Sequence, residues 1–220
     1  MLSTLIAIVA LQAPNTLSPA ETKAGWKLLF NGKSLAGWKN YQSNDVRAGW
    51  KAENGLLKVV DPSNAGDLLT KDQYKWFELT LEFNLAKGSN SGVMYHVSEK
   101  GEYAWFSGPE IQLYDHKPEP GVQTTGFLYE LYDAKKDASK PGGQWNKLRV
   151  VIGPKLCWTE VNGVKYYEYV LGSADFKARI AKSKFADMPD FGKMGKGHLA
   201  LQGDHGQVSF RNIKIRPLKG

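Results

Sequence analysis

A single cysteine, Cys157, stands among 220 residues, which excludes an intrachain disulfide and every zinc site built on cysteine pairs. Proline is sparse, at 10, and no tract is low in complexity, so neither a collagen-like nor a disordered chain is in view. No apolar run approaches the ~20 residues that a membrane-spanning helix needs. Also missing are a Walker sequence, a dinucleotide fingerprint and a G-x-S-x-G elbow, which removes the usual signals of nucleotide chemistry. Helical periodicity is scarce, and no internal repeat or heptad is visible. Charge of one sign is never concentrated. The 29 Lys and Arg against 22 Asp and Glu leave a net +7, but the basic residues are interspersed with acidic ones and match no nucleic-acid motif. A solvated basic surface is expected, with no nucleic acid as partner.

What is abundant points to strands. Aromatic residues make up 12% of the chain, and 23 glycines accompany them, a combination that suits sheets joined by tight turns. All-β sandwiches of this length commonly form one domain, and a chain of this size can bury about 70% of its unfolded surface without disulfide staples. At the N-terminus residues 2–11 are apolar, and Ser18-Pro19-Ala20 offers small residues before Glu21. This pattern fits a signal peptide over residues 1–20, although no Lys or Arg precedes the apolar run. The expected mature product is a single domain over residues 21–220, periplasmic or secreted. It would carry no membrane anchor, since no cysteine follows the run to take a lipid.

The clearest periodicity places Phe77, Leu79, Leu81, Phe83 and Leu85 on one face and Glu78, Thr80, Glu82 and Asn84 on the other, as in a half-buried strand. Shorter strands are expected at Val93-Tyr95-Val97, Ile111-Leu113, Leu148-Val150-Ile152, Leu199-Leu201 and Val208-Phe210. Asn31-Gly32, Asn54-Gly55 and Asn162-Gly163 are the pairs that type I′ hairpin turns demand. One helix is expected within residues 173–185, capped by Ser173. Residues 127–132 suit either a helical turn or a strand, and residues 135–143 a solvated loop. Many short strands imply a sandwich or barrel.

Strand alternation also sorts the polar residues. Glu110, Gln112 and Tyr114 share a face opposite Ile111 and Leu113, and the same alternation turns Met94 and His96 away from Val93, Tyr95 and Val97. Gln202, Asp204 and His205 cluster around Gly203 and Gly206, where glycine lets backbone approach a ligand. Acids, amides, imidazoles and rings on one sheet face suit sugars, whose hydroxyls need paired donors and acceptors and whose C–H faces stack on rings. The plainer alternative is that Glu110, Gln112 and Gln202 merely solvate the outside of a sheet. Glu110 and Asp115 could form a glycosidase pair if their spacing permits. His96, Asp115, His116, Asp204 and His205 have donor atoms for a divalent metal, yet no metal-ligand spacing selects a site.

The order of motifs resembles the 3-keto-disaccharide hydrolase domain family. The matching pieces include Gly25-Trp26-Lys27-Leu28-Leu29-Phe30-Asn31-Gly32, Gly66-Asp67-Leu68-Leu69-Thr70, Asn90-Ser91-Gly92-Val93-Met94-Tyr95-His96, Gly108-Pro109-Glu110-Ile111-Gln112 and Gly126-Phe127-Leu128-Tyr129. Gly143-Gln144-Trp145-Asn146 and the stretch 201–215 complete the match, which spans nearly the whole mature chain. The resemblance implies a concanavalin A-like jelly roll, a sandwich of two antiparallel sheets with a ligand groove on one outer face, and frequent export. It also implies cleavage of glycosides already oxidised to a ketone at sugar carbon 3, by C2 proton abstraction and elimination. On that reading His205 or His96 works as base beside Glu110. Gln112, Asp115, Tyr129 and Gln202 hold hydroxyls, and Arg211 or a divalent ion offsets enolate charge. One departure stands out: Tyr114-Asp115-His116-Lys117-Pro118 carries a histidine where the family has a second acid. Many members of the family are accessory domains with no assayed activity, so a non-catalytic carbohydrate-binding module is the alternative.

Overall fold

The structure, a computed structural model, describes residues 12–117, 119–133 and 136–220. The apolar run at residues 2–11 lies outside the described residues, as do Pro118 and Lys135. In chain order the elements are α1 (Pro19–Lys23), β1 (Lys27–Leu28), β2 (Trp38–Asn40), β3 (Trp50–Glu53), β4 (Leu56–Val59), β5 (Leu68–Thr70), β6 (Phe77–Leu85), β7 (Asn90–Val97) and β8 (Glu110–Tyr114). Then follow β9 (Asn146–Ile152), β10 (Cys157–Val161), β11 (Val164–Tyr169), α2 (Ala174–Lys182), β12 (His198–Leu201) and β13 (Val208–Pro217). One antiparallel sheet runs β11-β10-β9-β6-β13-β4-β3, with β1 also paired to β13; the other runs β2-β5-β12-β7-β8. This is the all-β jelly-roll sandwich that the sequence implied.

The core forms where the apolar faces of the two sheets meet. Leu79, Leu81, Phe83 and Phe210 from the larger sheet pack in one cluster with Leu68, Val93, Tyr95, Ile111, Leu113 and Leu201 from the smaller. The strict alternation of β6 is therefore real, and its polar face is outward with one adjustment. Glu78 is buried because Arg149 and Arg216 close over it. Within the core, the hydroxyls of Tyr95 and Tyr169 lie 2.7 Å apart and tie the two sheets together. The α2 helix starts where Ser173 accepts the Phe176 N–H, and Phe176 stacks on Tyr169 to cover that edge of the core.

Two of the three Asn-Gly pairs form hairpins. Asn54-Gly55 joins β3 to β4 and Asn162-Gly163 joins β10 to β11, with both central residues at positive φ in each turn. Asn31 does not; its side chain instead accepts the N–H groups of Lys33 and Ser34 in a local Asx turn. Residues 127–132 form neither a helix nor a ladder strand but closed turns, in which the Leu128 carbonyl accepts from both Leu131 and Tyr132.

Residues 12–24 lie against this body. Ser18 and Glu21 form a reciprocal capping box on α1, which straddles the Ala20–Glu21 junction, and Glu21 reaches Lys214 at 2.8 Å. Asn15 donates to the Gly55 carbonyl at 2.8 Å and exchanges two hydrogen bonds with Asn212. Asn212 is itself the positive-φ residue of a bulge that shifts β13 between Arg211 and Lys214. Asn15→Ala removes the side-chain partners of the half-buried Gly55 carbonyl and Asn212 N–H, so urea denaturation should show a stability loss of about 1–2 kcal/mol. No change in midpoint would mean that the N-terminal strap contributes nothing.

Candidate functional site

The register of the smaller sheet lays out its outer face in rows. Lys39 stands opposite Leu69, Leu69 opposite Ala200, Ala200 opposite Met94, and Met94 opposite Glu110. Two residues along, the adjoining row reads Tyr41, Asp67, Gln202, Gly92 and Gln112. Tyr41 N–H donates to the Asp67 carbonyl, Gln202 N–H donates to the Gly92 carbonyl, and Gly92 faces Gln112. The first row supplies an apolar floor in which Leu69, Met94 and Ala200 pack with Trp105. The second row is polar except at Gly92.

That gap is occupied. A Cβ on Gly92 would fall 1.9 Å from Oε1 of Glu110, so the Glu110 carboxyl leans from its own row across the place a side chain would fill. It borders a hollow of about 260 Å³ lined also by Trp105, Gln112, Tyr129, Lys184, Gln202 and His205. Burial raises the Glu110 pKa to about 7, with the charge of Asp67 adding to the effect, while Lys184 and His205 oppose it. Asp67 is pushed to about 7 as well, by burial first and by the charge of Asp204 second. The His205 pKa is raised too, but by a different cause: its Nδ1 lies 2.5 Å from Asp204 Oδ1, and this contact favours the imidazolium. The Lys184 ammonium sits 4.3 Å from the Tyr129 ring centroid. Two buried acceptors in the polar row, Gln112 Oε1 and Asp67 Oδ1, have no hydrogen-bond partner among the described residues.

Glu110, Gln112, Tyr129, Gln202 and His205 are thus brought to one hollow. Three other expected residues are elsewhere. His96 does not face outward with Met94. It sits at φ 54° in a bulge of β7, only 1% exposed, among the rings of Trp76, Phe77 and Tyr95, with Nε2 2.7 Å from the Lys75 carbonyl. Gly197 runs against this bulge, where a Cβ would lie 2.4 Å from the His96 carbonyl carbon. Burial lowers the His96 pKa and keeps the ring neutral. Arg211 lies on the larger sheet, bonded to Glu82 at 2.7 Å and stacked over Trp145, so it cannot offset charge at the Glu110 hollow. Asp115 accepts the backbone N–H groups of Gly88 and Gly142, which hold its pKa down and make it a loop tie rather than a partner acid to Glu110.

The sequence reading missed Asp67, Lys184 and Trp105 as site residues. Asp67 precedes Leu68-Leu69-Thr70, all buried, so no alternation assigns it a face. Lys184 follows α2 in a run of lysines and serine with nothing to single it out. Trp105 comes from a short 3-10 turn between β7 and β8. Among the described residues no three His, Cys, Asp or Glu side chains gather as a metal ion would need, and His116 is engaged with Asp137 at 3.0 Å.

A sequence model of the 3-keto-alpha-glucoside-1,2-lyase-like domain matches residues 25–216. The chain belongs to this family. A 3-keto-disaccharide hydrolase of Bacteroides thetaiotaomicron is 28% identical over 229 residues, covering 88% of this chain and 79% of that protein. A crystal structure of a candidate glycosyl hydrolase from Parabacteroides distasonis superposes with a TM-score of 0.86 at 32% identity, covering 94% of this chain and all of that one. A second from the same organism gives 0.65 at 29% identity, over 88% of this chain and 99% of that one. A carbohydrate-binding module of Bacillus subtilis, at 10% identity, 82% and 95% coverage and a TM-score of 0.52, shares the fold alone. This family member is a hydrolase of the glycosidase type, and the hollow around Glu110 is its candidate active site.

Because the folded protein holds the Glu110 proton more tightly than the unfolded chain, protonation stabilises the fold. That contribution is whole below the ordinary value of 4.5 and is lost as pH rises to about 7. Glu110→Gln should therefore be more stable than the parent at pH 8 by about 1–3 kcal/mol, with the difference shrinking toward pH 4.5. Denaturant titrations at both pH values check this; equal curves at pH 8 would contradict a carboxyl held uncomfortably on the sheet.

Proposed function

We propose that the domain cleaves glycosides carrying a ketone at sugar carbon 3, by elimination followed by hydration, with Glu110 as the general base. The ketone acidifies the C2–H bond. Glu110, titrating near neutrality, is matched to take that proton at physiological pH. The electron pair moves into the C2–C3 bond and the carbonyl oxygen becomes an enolate, whose charge Lys184 and the imidazolium of His205 offset. The enolate then collapses back to the ketone, a C1–C2 double bond forms, and the C1–O bond breaks. The departing oxygen takes a proton from His205 or from the now protonated Glu110. Water adding across C1 and C2 completes the hydrolysis and returns the site to its starting charge.

This assigns the histidine differently from the expectation drawn from sequence. An imidazole held by Asp204 is biased toward its charged form, which makes it a better acid than base. The carboxyl has the opposite bias. Gln112, Gln202 and Tyr129 supply hydroxyl contacts, and Trp105 offers a ring for a C–H face. The observation that carries the proposal is a neutral-range carboxyl placed beside two cationic side chains in a polar hollow of a family member.

The test is release of the aglycone from a 3-keto-glucoside, followed against the unoxidised glucoside. The parent should act on the ketone only, and Glu110→Gln should lower kcat by about 100-fold or more. A protein that binds sugars yet never releases an aglycone, with an active relative run alongside, would be a carbohydrate-binding module instead.

A further inference from the structure

The two buried acceptors without partners among the described residues, Gln112 Oε1 and Asp67 Oδ1, stand near opposite ends of one cross-strand row. Between Asp67 on the β5 side and Gln112 on β8 lie three strand spacings, ~14 Å, more than one pyranose ring spans. The intervening places belong to Gln202 and to the Glu110 carboxyl lying over Gly92. Asp67 shares the parity of Leu69, which packs with Met94 and Ala200 on the outer face, so its side chain belongs to the same surface. Its backbone carbonyl is satisfied, by Tyr41 N–H and by Asn40 Nδ2 at 3.1 Å, whereas its carboxyl oxygen is not. The charged groups that act on Asp67 are Asp204 and His205 from the turn after β12 and Arg47 from the segment before β3; His205 and Asp204 act on Glu110 too. His205 is thus electrostatically coupled to both carboxyls.

A buried acceptor left empty is costly, and a sugar hydroxyl is a donor that would meet it. We propose that a disaccharide substrate lies across the strands, with Gln112 accepting a hydroxyl of the oxidised ring and Asp67 accepting a hydroxyl of the departing ring. This rests on the glycosidase reading above and extends it by naming what holds the leaving sugar. The direction follows from charge. Lys184, which would face the enolate, stacks on Tyr129 beside β8, since Tyr129 N–H donates to the Glu110 carbonyl there. The oxidised ring therefore occupies the Gln112 side and the leaving ring the Asp67 side, with the scissile oxygen over Gln202 and within the influence of His205.

The experiment compares a 3-keto-disaccharide with methyl 3-keto-glucoside, which has no second ring. Asp67→Ala should lower kcat/KM for the disaccharide about tenfold or more beyond its effect on the methyl glycoside, which reads the shared change in Glu110 proton affinity, whereas Gln112→Ala should lower both alike. Asp67→Asn keeps the side-chain volume and an acceptor oxygen, and should retain more disaccharide activity than Asp67→Ala. Equal losses on the two substrates, or no loss on the disaccharide, overturn the assignment of Asp67. If the parent turns over neither substrate, the hydrolase reading fails and binding decides the rest. Calorimetric titration with the unoxidised disaccharide and with methyl glucoside should then show a disaccharide advantage that Asp67→Ala removes. No such advantage, or one that survives the substitution, overturns the placement.

Discussion

A carboxyl group laid on the apolar floor of a sheet, in the space that a missing side chain leaves, is the constraint on which the rest of this site depends. Gly92 makes the space, Met94, Ala200 and Leu69 make the floor, and Glu110 leans in from the neighbouring strand. Burial there penalises the anion and brings the proton affinity into the neutral range, while Lys184 and His205 keep the anion from becoming inaccessible. In water a glutamate carboxyl has an ordinary value of 4.5; on this sheet the neutral-range affinity arises where solvent is partly excluded, and the nearby cations only moderate it.

The sandwich supplies the rigidity this arrangement requires. Strands β7, β8 and β12 carry the site on one face and bury Val93, Ile111, Leu113 and Leu201 on the other, so any shift of the polar row would disturb the core. The larger sheet backs them, with the Tyr95 and Tyr169 hydroxyls tying the layers within the core. Loops finish the hollow: the turn after β12 brings the Asp204–His205 pair, the segment after α2 brings Lys184, and the connection from β7 to β8 brings Trp105. Residues on a fixed frame and residues on loops thus divide the proposed chemistry, with the proposed base on a strand and the cations on connections.

Much of this was legible in the residues. The alternation of β6, the cap of α2 and two Asn-Gly hairpins follow from local rules, because period, capping geometry and positive φ are properties of short segments. The shared face of Glu110 and Gln112 was legible for the same reason. His96 was not, since a bulge at one residue reverses parity and leaves no mark that alternation can detect. Asp115 and Arg211 misled because a carboxylate and a guanidinium look alike in sequence whether they meet a ligand or tie down their own backbone and neighbours. Asp67 and Lys184 were silent, one ahead of an all-buried strand and the other within a run of lysines.

The sequence by itself determined the class of fold, the strands and turns, and the family, because each is written in patterns that span a few residues or recur in order along the chain. Only the tertiary structure decided which polar groups meet. The row from Asp67 to Gln112 draws on four strands whose neighbours in space are far apart in sequence, and their mutual distances, burial and charge set both the proton affinity of Glu110 and the unmet acceptors beside it. Those are pairwise properties, and a one-dimensional pattern holds no information about pairs that folding alone brings together.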